Sequence, residues 1–338
     1  ILKSQDVLAL AETGSGKTAA CAIPLCHLVD TTSNHIQGLI IVPTRELALQ
    51  YAEEAQRIGK HKKVRVFGLF GGEDMELQRA KLKHGVHILV ATPGRLIDFI
   101  YSRAIDLSHV KTLTLDEADE MLGMGFLEDL EFVMGCLIQE HQTLLFSATM
   151  PDLIRKIAKK HMKTPQEISL ISTQSTPAKL EHKFYYCASF HEKRRSLLDL
   201  LKKLPFKQVL MFVNSRDDCE KVYRELKPHF ASIDFLHGGM NQDTRTIVTG
   251  KFSKGKLQML VATDVASRGL DFSGVTHVIN ITLPHDDEIY LHRAGRTARR
   301  GKEGICITFV VARDLGRVKR LLASLQKDAC WINPPSEK

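Results

Sequence analysis

Residues 112–119 read Thr112-Leu113-Thr114-Leu115-Asp116-Glu117-Ala118-Asp119, a short apolar-leaning run set directly against three carboxylates. A run of this kind, closed by a polar turn, reads as a buried strand that delivers Asp116 and Glu117 at its carboxyl end. Well upstream stands Ala11-Glu12-Thr13-Gly14-Ser15-Gly16-Lys17-Thr18, which follows one apolar run and opens a helical one. That is the setting a phosphate-cradling loop requires. Gly14 and Gly16 let the backbone wrap the phosphates, and the helix N-terminus adds a favourable dipole. Lys17 is placed to reach the β- and γ-phosphates, and Thr18 to ligate Mg²⁺. Asp116 is expected to hold the ion through its water shell. Glu117 is expected to orient and deprotonate the attacking water. The strict loop pattern wants glycine at the position of Ala11, so the match is one residue short.

Working outward, the chain has 338 residues, enough for two domains at roughly 100–200 residues each. Strands are predicted at 6–11, 39–42, 64–70, 88–91, 112–116, 143–147 and 167–170, with helices between them such as 17–29, 44–58 and 151–160. Residues 173–181 are polar and read as a linker. The rhythm then resumes, with strands at 182–186, 209–212, 232–236, 259–262, 277–280 and 305–310 and helices at 193–203, 216–227 and 241–253. Strand–helix alternation of this kind predicts an α/β fold, with a mostly parallel sheet covered by helices on both faces in each half. The domains are expected at 1–172 and 182–331, with a disordered tail at 332–338. In such sheets functional residues gather at the carboxyl ends of strands.

Apolar residues make up 43% of the chain and charged residues 25%, the balance of a globular protein with real cores. The net charge of +8 suits a polyanionic partner and equally a well-solvated basic enzyme. Seven cysteines with no C-x-x-C pair argue against a disulfide framework or a zinc site and point to a reducing, intracellular compartment. No apolar run reaches the ~18 residues a membrane span needs, and no signal peptide is visible. The chain opens on Ile1, so an upstream segment is expected.

The stretch from Tyr290 to Gly301 carries Arg293, Arg296, Arg299 and Arg300. Arginines three apart share one side of a helical turn. A positioned arginine stabilises charge spreading over a transferring phosphoryl group, and a basic surface for nucleic acid is the alternative use.

Taken in chain order, these segments and others resemble the motifs of the DEAD-box ATP-dependent RNA helicases of superfamily 2. The others are Pro43-Thr44-Arg45-Glu46-Leu47-Ala48, Gly71-Gly72, Thr92-Pro93-Gly94-Arg95, Ser147-Ala148-Thr149, Phe212-Val213-Asn214-Ser215-Arg216, Gln242-Asp243-Thr244-Arg245 and 262–271. The resemblance covers almost the whole chain and implies two tandem RecA-like domains, ATP and Mg²⁺ as cofactors, and RNA as partner to a monomer. It implies that Ser147 and Thr149 hydrogen-bond toward the acidic run as a coupling element, with His292 grouped beside them. It implies that Asp271 meets the ribose and that Arg296 and Arg299 are arginine fingers. It further implies an RNA-facing set of Arg45, Gly71, Gly72, Thr92, Arg95, Gly238, Arg245 and Thr263. Such groups grip phosphate and sugar and position a strand without reading its bases.

The family's adenine-recognition segment lies upstream of the first residue, and Ala298 stands where many members have glycine. The implied activity is RNA-stimulated ATP hydrolysis coupled to unwinding of short duplexes or remodelling of ribonucleoprotein. An ATP-gated RNA clamp and a DNA helicase or translocase share the same residues and stay open at this point. A small-molecule P-loop kinase would leave the second half without a purpose.

Overall fold

The structure, a computed structural model, describes residues 1–11, 15–170, 180–264, 272, 274–298 and 302–335. The chain divides into two compact units, Ile1–Ser172 and Thr173–Lys338.

The first unit runs β1 (Val7–Leu10), α1 (Lys17–Leu28), β2 (Gly38–Ile41), α2 (Arg45–Gly59), β3 (Val66–Leu69), α3 (Met75–Leu82), β4 (Ile88–Ala91), α4 (Pro93–Tyr101), β5 (Thr112–Leu115), α5 (Ala118–Gly123), α6 (Leu127–Gly135), β6 (Gln142–Ser147), α7 (Asp152–His161) and β7 (Gln166–Ser169). Its sheet has the order β3-β4-β2-β5-β6-β1-β7, and every pairing is parallel. Alternate residues of a strand point to opposite faces. Leu39 and Ile41 accordingly enter one apolar cluster with Leu89 and Leu113, while Ile40 and Val42 enter another with Ile88 and Val90. Both faces are covered, which is why these strands read as unbroken apolar runs. Helix starts are built locally. Thr44 caps α2 by accepting from the Leu47 amide at 3.3 Å, and Asp74 caps α3 by accepting from the Leu77 amide at 2.9 Å.

The second unit repeats the plan with β8 (Leu180–Tyr186), α8 (Phe190–Lys203), β9 (Val209–Val213), α9 (Arg216–Leu226), β10 (Ile233–Leu236), α10 (Gln242–Ser253), β11 (Met259–Thr263), β12 (His277–Asn280), α11 (Asp287–Ala294), β13 (Gly304–Val310), α12 (Leu315–Leu325) and β14 (Cys330–Asn333). The order β10-β11-β9-β12-β13-β8-β14 is again parallel throughout. Leu210 and Phe212 fill one face and Val209, Met211 and Val213 the other. These sheets bear out the α/β expectation.

Two expectations at the edges need correction. Leu180 and Glu181 are not linker: they begin β8, pairing with Gly304 and Ile305, because Leu180 is buried in the core. Residues 332–333 are not a disordered tail. They belong to β14, which pairs with β8; Trp331 packs on Phe184 and the Asn333 amide donates to the Tyr186 carbonyl at 2.7 Å. No helix of the described residues is long and apolar enough to cross a membrane.

Candidate nucleotide and nucleic-acid sites

Strand order decides what meets at the carboxyl edge of the first sheet. Because β5, β6 and β1 are neighbours, the residues after them end side by side. The Ala11 amide donates to the Ser147 carbonyl at 2.9 Å, tying the loop's entry to the end of β6. Gly16 closes the loop at φ 96°, a left-handed conformation that glycine adopts without steric cost, and nothing lies where a Cβ would stand. Lys17 is buried; its Nζ donates to the Ala11 carbonyl at 3.0 Å and lies 3.5 Å from Asp116 Oδ1. Thr18 follows, half-buried, in the first turn of α1.

Asp116 is only 2% exposed, and its Oδ1 accepts from the Glu117 amide at 2.9 Å. Glu117 sits at φ 53°, a left-handed conformation that costs a side-chain-bearing residue on the order of 1–3 kcal/mol. Its side chain is buried rather than turned into solvent. Asp119 accepts from both the amide and the hydroxyl of Thr149, at 2.9 and 2.8 Å. Thr149 therefore does reach the acidic run. Ser147 does not: its buried hydroxyl has no hydrogen-bond partner among the described residues. Ser147, the last residue of β6, is held by the strand with its side chain buried on one covered face, while Thr149 lies beyond the strand end.

On the same edge, β3 and β4 present a second cluster. Arg45 lies 4.8 Å over the Phe70 ring, donates to the Gly71 carbonyl at 3.4 Å and stands 3.9 Å from Glu73. Gly72 has φ 84°. Thr92 begins α4, its amide bonded to the Leu69 carbonyl at 3.0 Å. Arg95 donates to the Glu73 carbonyl at 3.1 Å and to Gln78 Oε1 at 2.7 Å. Five residues expected to face RNA thus stand in the loops or first helical turns that follow β2, β3 and β4, neighbours at one corner of the sheet. Gln78, fully buried, was invisible in the sequence, where a polar residue beside Leu77 gives no sign of being inside.

In the second unit Gly238 follows β10 and Thr263 ends β11, the adjacent strand, while Arg245 lies in the first turns of α10. His237 holds the Gly238 turn from within. Its Nδ1 accepts from the Gly239 amide at 3.1 Å and its Nε2 meets Glu220 at 3.2 Å. On α11, His292 is half-buried and Arg293 is only 2% exposed. Arg293 grips Asp264 through Nε and a terminal nitrogen at 2.5 and 2.7 Å. It also donates to Asn214 at 2.8 Å, to the Thr282 carbonyl at 2.8 Å and to Asn280 at 3.3 Å, lying over the Phe212 ring. This arginine gathers the ends of β11, β9 and β12, a role the sequence did not suggest. Arg296 is also buried, in the turn after α11. Ala298, where glycine was the expected family residue, adopts a left-handed φ of 55°. Glu12, Thr13, Gly14, Asp271 and Arg299 lie outside the described residues.

Residues 1–157 match the family described as DEAD/DEAH box helicase, and residues 192–301 match the helicase conserved C-terminal domain. A DEAD-box ATP-dependent RNA helicase CshA of Bacillus cereus is 44% identical over 335 residues, covering 99% of this chain and 64% of that protein. The chain thus spans less than two thirds of that relative. The Geobacillus kaustophilus CshA is 41% identical over 339 residues, 99% of this chain and 72% of that protein. Among solved structures, S. cerevisiae Dbp5 bound to RNA and ADP BeF3 superposes with a TM-score of 0.88 at 26% identity, covering 97% of this chain and 85% of that one. Mss116p bound to ssRNA and AMP-PNP gives a TM-score of 0.88 at 31% identity, over 98% and 72% of the two chains.

Proposed function

Because the chain belongs to the DEAD-box ATP-dependent RNA helicases and is built of two RecA-like units, we propose that it hydrolyses ATP in response to RNA and uses the cycle to open short RNA duplexes locally or to remodel ribonucleoprotein. The observation that carries this reading is the buried Lys17–Asp116 pair beside the left-handed Glu117. Lys17 Nζ leaves the Ala11 carbonyl for the phosphates. Glu117 accepts the proton of the attacking water, and the strained backbone fixes the direction of its carboxyl group. Arg296, with Arg299, supplies positive charge to the departing phosphoryl group. Thr149 links the acidic run, through Asp119, to β6.

The Thr18 hydroxyl and the Asp116 carboxylate are hard oxygen donors, the set that fits Mg²⁺. That ion, when bound, neutralises charge on the β- and γ-phosphates. Asp271 is assigned to the ribose. Arg45, Gly71, Gly72, Thr92, Arg95, Gly238, Arg245 and Thr263 are assigned to the RNA backbone, with His292 in coupling. Seven free thiols, five of them buried, support a reducing intracellular compartment, and we assign the working state as a monomer.

Glu117→Gln tests the chemistry. It keeps size and backbone while removing the base, and should lower RNA-stimulated phosphate release by about 10²-fold or more. Release at the wild-type rate would remove Glu117 from this role.

A further inference from the structure

The short helix α3 buries a glutamine and leaves the leucine beside it exposed. Gln78 is 0% exposed, whereas Leu77 beside it is 52% exposed. A buried amide needs partners for both its ends. Gln78 finds them in Arg95, already assigned to RNA, and in Phe70 and Glu73, which flank the assigned Gly71 and Gly72. Its Nε2 donates to the Phe70 carbonyl at 3.1 Å and to Glu73 Oε2 at 3.2 Å, and its Oε1 accepts from Arg95 at 2.7 Å. Phe70 is the ring under Arg45, and the other oxygen of Glu73 faces the same guanidinium at 3.9 Å. One amide therefore touches Arg95 directly and, through two neighbours, the surroundings of Arg45. The loop it holds includes Gly71 and Gly72, which have no side chains to anchor them.

We propose that Gln78 is a positioning residue for the RNA grip, setting both guanidinium groups and the intervening glycine amides toward the sugar–phosphate backbone. The inference rests on the RNA reading above and names the part of the first unit that prepares its half of the grip before any strand arrives. The physical reason is preorganisation. An arginine already fixed by a buried acceptor loses less freedom when it meets phosphate.

The test uses the full chain and Gln78→Met, which keeps volume and removes every polar atom. Amide hydrogen exchange at 71–73 should accelerate. Affinity for a fluorescent single-stranded oligouridylate, measured with a non-hydrolysable ATP analogue present, should fall about tenfold. The salt slope of binding should become shallower by about 0.7 for each phosphate no longer gripped. Affinity for the nucleotide without RNA should hold, which a merely structural defect would not spare.

Should Gln78→Met fail to fold, the exchange of partners Glu73→Gln with Gln78→Glu restores one amide–carboxylate pair. It should recover RNA affinity to within about threefold of wild type, whereas Gln78→Glu alone should not. Wild-type RNA affinity in a folded Gln78→Met chain, or a parallel loss of nucleotide affinity, overturns the inference alone. A wild-type chain with no salt-dependent RNA binding overturns the RNA reading and the inference together.

Discussion

Lys17–Asp116 and Arg293–Asp264 are both pairs of a buried cation with a carboxylate at the carboxyl edge of a seven-stranded parallel sheet, yet they are built differently: Asp116 is buried and Asp264 half-buried. The lysine of the first unit meets its carboxylate at 3.5 Å and spends its one hydrogen bond on a loop carbonyl. A lysine is a point charge on a flexible stem, easily handed to a new anion. The arginine of the second unit uses a rigid fork at 2.5 and 2.7 Å and adds bonds to Asn214, Asn280 and Thr282. Nothing there is left to hand over. On the reading proposed above, one edge keeps a charge ready for substrate; the other uses its charge to tie three strand ends together.

Breaking each pair should expose that difference. Arg293→Met removes five hydrogen bonds, two of them to the Asp264 carboxylate, from a buried site, and should cost about 3–5 kcal/mol in urea unfolding of the full chain. Arg293→Lys should recover less than half of that, because the fork is lost. Lys17→Met also leaves a buried carboxylate, Asp116, without its cation, but breaks one hydrogen bond and a looser pair, and should cost less, about 2–3 kcal/mol. Equal losses at the two sites would erase the distinction.

Acid should reach the second unit through its core. His182 is buried against Tyr290, and burial pushes its pKa down from 6.5 to about 4. The unfolded chain then takes up a proton below about pH 6.5 that the folded chain refuses until pH 4. Stability is intact above that window and falls through it, by about 3 kcal/mol at its lower end. Unfolding curves of His182→Phe between pH 7 and 4 should lose most of this slope.

Thr149→Val keeps the shape and the backbone amide bond but removes the hydroxyl bond to Asp119, and should destabilise the first unit by about 1–2 kcal/mol. A matching loss of RNA-stimulated over unstimulated ATPase would show that this link carries coupling as well as stability. The smallest effect belongs to Ala298. Glycine there relieves a left-handed backbone at a cost of about 1 kcal/mol but gives up a buried methyl of similar worth, so the melting temperature of Ala298→Gly should scarcely move. Ala298→Val, branched at a backbone angle that resists it, should melt clearly lower.

Much of this architecture was legible because its central strands are buried on both faces. Runs such as Leu39-Ile40-Ile41-Val42 announce themselves as apolar throughout. The glycine-rich segment 11–18 and the carboxylates after β5 were legible as a candidate site because binding a triphosphate would demand glycines, a cation and acids in a fixed order. What escaped was polar and inside. Gln78 and Arg293 carry no periodic signature; only the fold reveals that they are enclosed and to whom they are bonded. Strand β14 escaped for a related reason, since Asn333-Pro334-Pro335 reads as a chain end while Trp331, just before it, finds an aromatic neighbour across the sheet. The expected bond from Ser147 failed because strand alternation, not proximity in sequence, decides where a hydroxyl points.

The bent peptide at Glu117 has a last implication, for anyone who would breed a hardier form of this molecule. A selection that rewards survival of heat alone would be drawn to that position, where glycine relaxes the chain by about 1 kcal/mol or more. Its winners would be durable and idle.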